Sequence, residues 1–121
     1  MTNKNMTIKR ILPGNRYSEA VIAGGFIYCA GMVPEHTGGD IVAQTKDVLA
    51  QLDTLLAECG TDKSAVVDTV IYLADMADYT GMNMAWDSWI APGHAPARAT
   101  VEARLANPAW RIEIKVTAFT G

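Results

Sequence analysis

Residues 95–115, APARATVEARLANPAWRIEIK, contain two runs in which polar and apolar side chains alternate. The polar side of the first run is Arg98, Thr100, Glu102 and Arg104, and that of the second run is Arg111, Glu113, Lys115 and Thr117. A period of two is typical of strands with one covered face and one open face. We therefore expect two strands, joined near Asn107 and Pro108, that share one apolar face and one charged face.

The first third of the chain predicts three further strands. Residues 6–12, 17–23 and 26–30 are short runs rich in apolar and β-branched side chains. Gly24 and Gly25 separate the second run from the third, and two consecutive glycines are a strong signal for a two-residue hairpin. A loop rich in turn-forming residues follows over 31–40.

The middle of the chain predicts two helices with a strand between them. Residues 41–59 carry apolar side chains at helical spacing, and Gly60 is placed to end that helix. Residues 65–73 predict a strand, and Asp78 is the expected N-cap of a second helix that runs to about Trp89. The order β-β-β-α-β-α-β-β predicts one α+β domain over residues 1–121, with a mixed sheet and two helices on one face.

Composition limits the function classes. With 121 residues the chain suits one domain, and 50% hydrophobic residues exclude a disordered chain. A formal charge of -3 without a basic cluster argues against a nucleic-acid partner. The apolar runs are too short to span a membrane, and residues 1–5 lead into no signal-like segment, so we expect a cytoplasmic protein without a membrane partner.

Metal and redox chemistry have little support in the residues. His36 and His94 stand far apart without acidic or cysteine neighbours at ligand spacing, so we expect no metal. Cys29 and Cys59 are expected to be reduced, packed thiols. Phosphate-binding glycine motifs and a nucleophile elbow are absent from the sequence, and we expect no organic cofactor.

Four segments resemble one known family. The string PARATVEARLANPAWRIEIKVTA at 96–118, with RYSEAV at 16–21, AGMVP at 30–34 and MNMAWDSW at 82–89, resembles the Rid family of imine/enamine deaminases, also called the YjgF family. The similarity is strongest to its YoaB-like branch. It implies a homotrimer with active sites between adjacent subunits, which hydrolyses 2-imino or 2-enamino acids to 2-oxo acids and ammonia without a cofactor.

Arg98 and Glu113 are the candidate catalytic residues. The planar guanidinium of Arg98 suits two parallel hydrogen bonds to a substrate carboxylate, although it could instead pair with Glu113 or Glu102 across the sheet. The resemblance of PAR to the family motif favours the carboxylate role. Glu113 would share the polar side of Arg98 if their strands pair, and the resemblance implies that it orients water; its alternative is an ion pair with a nearby cation such as Lys115.

Tyr17, Gly31 and Thr100 are the other candidate substrate-binding residues. Tyr17 could form a pocket wall with one hydroxyl, although packing is the commoner role of such a tyrosine. Backbone groups of Gly31 and Thr100 could contact substrate. The chain departs from the best-known deaminases at Ala30, where they carry serine, and at Thr100, where they often carry cysteine. Asn83 matches a family asparagine, and we expect it to tie the helix to a loop.

Two other functions remain open from the sequence. The same cleft could hold a small carboxylic acid without turnover, as a regulatory trimer. Alternatively, the fold could support a different enzyme such as a chorismate mutase, in which arginines also bind a dicarboxylate.

Overall fold

The computed structural model describes residues 7–120, so Met6, where the first predicted strand begins, lies outside the described residues. The elements in chain order are β1 Lys9–Pro13, β2 Ser18–Ala23, β3 Phe26–Cys29, α1 Ile41–Glu58, β4 Val66–Leu73, α2 Tyr79–Trp89, β5 Ala97–Glu102 and β6 Ile112–Phe119. This is the predicted order. Short 3-10 turns at Lys63–Ala65 and Met76–Asp78 precede β4 and α2.

One mixed sheet contains all six strands of the described residues, in the order β1-β2-β3-β6-β4-β5. Neighbouring strands are antiparallel except β4 and β5, which are parallel. On β6 every second side chain is buried and the side chains between them are not. We call the buried side the helix-covered face, because its residues form one core with both helices. The other side, which carries Glu113, Lys115 and Thr117, is the open face.

Local signals account for several element boundaries. Gly24 and Gly25 both have positive φ, as a tight hairpin between β2 and β3 requires, which confirms that prediction. The carboxylate of Asp40 caps α1 by accepting a hydrogen bond from the amide of Ala43 at 2.9 Å. Gly60 directly follows Cys59, the C-cap residue of α1, and has φ +82°, so it ends the helix as predicted.

Asp78 occupies the N-cap position of α2, as predicted, but its side chain makes no capping hydrogen bond. Asp75 instead accepts from the amide of Ala77 at 2.8 Å and caps the 3-10 turn that leads into the helix. The carboxylate of Asp78 pairs with Arg111 at 3.3 Å.

The predicted pairing of the last two strands was wrong. β4 lies between β5 and β6, so residues 95–115 do not form a hairpin with one shared charged face. α2 returns the chain to the end of the sheet where β4 began, and β5 therefore runs parallel to β4. Arg98 lies beside the buried Thr69 on the helix-covered face, whereas Glu113 lies beside Tyr72 on the open face.

Both cysteines are free, and burial raises the pKa of the Cys29 thiol to about 11. Little reactive thiolate therefore forms near neutral pH.

Within residues 7–120, neither helix combines the length and the apolar character needed to cross a bilayer.

Gly81 lies where α2 approaches α1, and this contact gives the first prediction. A Cβ on Gly81 would lie 2.5 Å from Cγ2 of Ile41. Alanine improves helix propensity by about 1 kcal/mol, but overpacking costs about 1–3 kcal/mol. We expect Gly81→Ala to lower the thermal midpoint, and Ile41→Leu/Gly81→Ala, which removes the Cγ2 branch, to recover part of the loss. A single variant more stable than the parent would contradict this packing.

Candidate functional site

Arg98 lies at the start of β5 and extends beneath α2. Its Nη1 donates to Oδ1 of Asn83 at 2.8 Å and contacts Sδ of Met82 at 3.9 Å. Its Nη2 donates to the hydroxyl of Tyr79 at 3.3 Å. The guanidinium carbon lies 5.3 Å from the ring centre of Trp86, within range of a cation–π interaction. Side chains from Tyr79 to Trp86, about two turns of α2, therefore hold the guanidinium.

No carboxylate within residues 7–120 neutralises Arg98. The one ion pair among these residues joins Arg111 to Asp78. Glu102, an expected alternative partner, accepts from the amide of Met76 at 2.9 Å instead. Glu113, the other expected partner, lies on the opposite face of the sheet. The interpretation of Arg98 as half of a structural ion pair is therefore contradicted.

Two buried hydroxyls border the Arg98 side chain. Thr69 is its neighbour on β4, and Thr100 lies two residues further along β5, on the same face. Both Oγ1 atoms are buried without a hydrogen-bond partner among the described residues. Buried polar groups normally have partners, so these two hydroxyls beside Arg98 are exceptions. We call Arg98, Thr100, Tyr79, Asn83 and Trp86 the Arg98 half-site.

A β-bulge follows β3 and shapes a second polar region. Tyr28 pairs with Thr117, and Met32 forms a bridge with Ile114, so three residues of one strand oppose two of the other. Gly31 is the last residue of this bulge. Bulges bend a strand and re-aim its groups, and they are common beside active sites.

Two side chains of β6 contact the bulge from the open face. A Cβ on Gly31 would collide with the carboxylate of Glu113, so only glycine leaves room for that side chain. Nζ of Lys115 donates to the carbonyl of Cys29 at 2.7 Å and satisfies a bulge carbonyl. The alternative role of Glu113, an ion pair with Lys115, is not observed. The structure thus brings Gly31 and Glu113 together, as two of the predicted site residues.

Tyr17 lies at the same end of the sheet as the bulge. It immediately precedes β2, three residues before Ala20, which pairs with Cys29. Its side chain is 65% exposed, so packing within the chain does not account for it. It borders a cleft of about 340 Å³ with Leu12, Gly14, Asn15, Arg16 and Glu19. We call Tyr17, Gly31 and Glu113 the Glu113 half-site.

The two half-sites are far apart within one chain. Arg98 lies beside Thr69, which pairs with Val116, three positions beyond Glu113 on β6. This register separates Arg98 from Glu113 by about 10 Å across the strands and about 10 Å along them. Tyr17 is four strand spacings from β5, about 19 Å. A small substrate therefore cannot contact all of these residues of the same chain.

The sequence reasoning missed part of the Arg98 half-site. Neither Tyr79 nor Trp86 was a candidate, and Trp86 is only 6% exposed. Asn83 joins the helix to a strand arginine rather than to a loop. The spacing of Tyr79, Asn83 and Trp86, at i, i+4 and i+7, places them on one side of a helix and could have indicated a shared partner.

Within residues 7–120, acidic, histidine and cysteine side chains form no group of three or more that could hold a metal ion.

Comparisons with known proteins give consistent matches over most of the chain. Residues 7–120 match the family described as Endoribonuclease L-PSP. The chain is 52% identical over 111 residues to a RutC family protein of Haemophilus ducreyi, which covers 92% of this chain and 95% of the relative. It is 46% identical over 113 residues to the RutC family protein YoaB of Escherichia coli K12, with coverage of 93% and 98%. The solved structure of NMB1025, a YjgF family member from Neisseria meningitidis, is similar with a TM-score of 0.94 and 57% identity over 97% of this chain and 98% of that chain.

The contact of Gly31 with Glu113 gives the second prediction. We expect Gly31→Ala to fold with a nearly unchanged thermal midpoint, because the side chain it displaces ends in a flexible carboxylate. A crystal structure should show the Glu113 carboxylate moved away from residue 31. Gly38→Ala is the matched control, since a Cβ at Gly38 meets nothing within 4 Å. An unmoved carboxylate in Gly31→Ala would show that the bulge does not constrain Glu113.

Proposed function

Because this chain belongs to the endoribonuclease L-PSP family, also called the YjgF or Rid family, we propose that it is an enzyme that hydrolyses reactive 2-imino and 2-enamino acids. The products are 2-oxo acids and ammonia. The observation that carries this proposal is a positive charge on Arg98 that is held in place by neutral groups and left without a carboxylate partner in the described chain. The matches to YoaB and its relatives confirm the resemblance in the sequence.

The contacts of Arg98 leave a fork for a carboxylate. Asn83 and Met82 occupy Nη1, and Tyr79 takes one hydrogen of Nη2. The N–H of Nε and the second N–H of Nη2 have no partner among residues 7–120. Two parallel hydrogen bonds from such a fork bind a carboxylate, and each is stronger in a partly buried site than in water. The substrate class we propose is therefore a small 2-imino acid anion.

The reaction needs a positioned water and no cofactor. The water oxygen adds to the imine carbon while a proton reaches the imine nitrogen, which gives a carbinolamine. The C–N bond then breaks as the proton of the hydroxyl passes to the leaving nitrogen, and the 2-oxo acid and ammonia leave. Glu113 would orient the water and accept its proton, while Tyr17 would close the pocket. The amide of Gly31 and the backbone of Thr100 would contact the substrate from the two sides.

The separation of the half-sites supports a cleft between subunits. The open face exposes large apolar side chains, with Tyr28 and Phe119 each almost half exposed. Exposed apolar area of this kind supports the proposal of a contact with another chain. In the proposed homotrimer, one subunit contributes the Arg98 half-site and its neighbour contributes the Glu113 half-site. The proposal places this small-molecule enzyme in the cytoplasm.

Other functions make different predictions for the purified protein. The family name suggests RNA cleavage, but an acidic chain with a formal charge of -3 is poorly suited to bind a polyanion. A regulatory trimer would bind 2-oxo acids without turnover, and a chorismate mutase would convert chorismate. Assays with freshly generated 2-iminopropanoate, chorismate and RNA separate these functions, and we expect turnover of the imino acid alone.

The third prediction concerns the charge and shape of Arg98. Arg98→Lys keeps the charge but loses the fork, so we expect most imine hydrolysis to be lost. Arg98→Ala should lose essentially all of it, with only a modest fall in thermal midpoint, because the hydrogen bonds to Asn83 and Tyr79 are lost but no ion pair is broken. Activity and thermal midpoint are measured on both variants. Full activity in Arg98→Ala would contradict the deaminase proposal.

The fourth prediction tests whether the cleft lies between chains. Arg98→Ala and Glu113→Gln should each be inactive alone. When they are co-expressed at equal amounts, about a quarter of the clefts pair an intact Arg98 with an intact Glu113 on the neighbouring chain. We therefore expect about a quarter of the parent activity in the mixed protein.

Two controls make the mixing experiment decisive. Light scattering should give a mass of about three chains, and native mass spectrometry should show that both variants share one particle. A mixture of the two variants purified separately should stay inactive until subunits exchange. Mixed particles without recovered activity would contradict a site built from two chains.

A further inference from the structure

Tyr79 is an exposed residue with an unusual contact. It is the first residue of α2, and its side chain is 42% exposed. Its hydroxyl oxygen accepts a hydrogen bond from Nη2 of Arg98 at 3.3 Å, and its ring centre lies 5.9 Å from the guanidinium carbon. The hydroxyl is therefore fixed next to the N–H groups that remain available on Arg98.

The hydrogen of this hydroxyl has no acceptor among residues 7–120. A phenol both donates and accepts, and here Arg98 uses the oxygen as an acceptor. The O–H can therefore donate to a group that approaches Arg98 from outside the chain. A carboxylate bound to Nη2 would bring an oxygen close to the same phenol, since both would be hydrogen-bonded to one nitrogen.

We propose that the Tyr79 hydroxyl is a second ligand of the substrate carboxylate, which it binds together with Arg98. This inference rests on the proposed function and adds a substrate-binding residue to its site. The carboxylate would receive hydrogen bonds from the guanidinium fork and from the phenol. The pair selects an anion, because an ester or a primary amide lacks the second anionic oxygen that both donors need.

Tyr79→Phe tests the proposal by removing one oxygen. Phenylalanine keeps the ring beside Arg98, so the cation–π contact and the start of α2 are preserved. We expect the KM for 2-iminopropanoate to rise about tenfold with little change in kcat, since a hydrogen bond to a charged group is lost from substrate binding. The thermal midpoint should not change.

Thr80→Val is the matched control. Thr80 is also exposed and follows Tyr79 directly on α2, but its hydroxyl makes no hydrogen bond to Arg98. Its variant should keep the KM of the parent. A merely structural effect of losing an exposed hydroxyl would affect both variants alike.

A binding measurement separates failure of this inference from failure of the proposed function. The dissociation constant of pyruvate, a 2-oxo acid, is measured by calorimetry for the parent and Tyr79→Phe. Weaker binding by the variant supports the role of Tyr79, even if the parent does not hydrolyse imines. Unchanged pyruvate affinity, or an unchanged KM in an active enzyme, overturns the role of Tyr79 and leaves the proposed function standing.

Discussion

The parallel pairing of β4 with β5 is the constraint on which both half-sites depend. A parallel neighbour requires a crossover, and α2 supplies it by packing on the helix-covered face. This connection places the polar side of β5 against the helix that formed the crossover. Arg98 consequently meets Tyr79, Asn83 and Trp86, which precede it by fewer than 20 residues. A hairpin between β5 and β6 would instead have placed Arg98 beside Glu113 on one face.

The electrostatics of Arg98 follow from this placement. The guanidinium is partly buried, and removal from water is unfavourable for a charge without a counter-ion. Neutral acceptors and aromatic faces offset this cost in part, without neutralising the charge. The exposed Arg111 pairs with Asp78, and such a surface pair contributes only about 0–1 kcal/mol. The chain thus uses its one described ion pair at the surface and leaves the guanidinium beneath α2 without a counter-ion.

The sequence was sufficient to predict the order of elements but not their neighbours. Gly24, Gly25 and Gly60 act locally, through backbone conformations that few other residues adopt, and their predictions were confirmed. Alternation also identified which residues share the polar face of β5 and which share the polar face of β6. It could not tell that β4 would lie between these strands, because strand pairing depends on contacts far apart in the chain. The predicted site residues therefore divide into two groups, and the role of Tyr79 was not visible from spacing within one strand.

The open face of the sheet connects assembly to chemistry. Its aromatic side chains, among them Tyr28 and Phe119, lie on the same face as Glu113, so a chain that covers them also covers the Glu113 half-site. Arg98 lies on the edge strand β5, where a neighbouring chain can approach without disturbing the core. Burial of the apolar face and completion of the site would then be one event. In this arrangement a dissociated subunit would be a folded protein with two incomplete half-sites, and catalytic activity would depend on subunit concentration as steeply as assembly does.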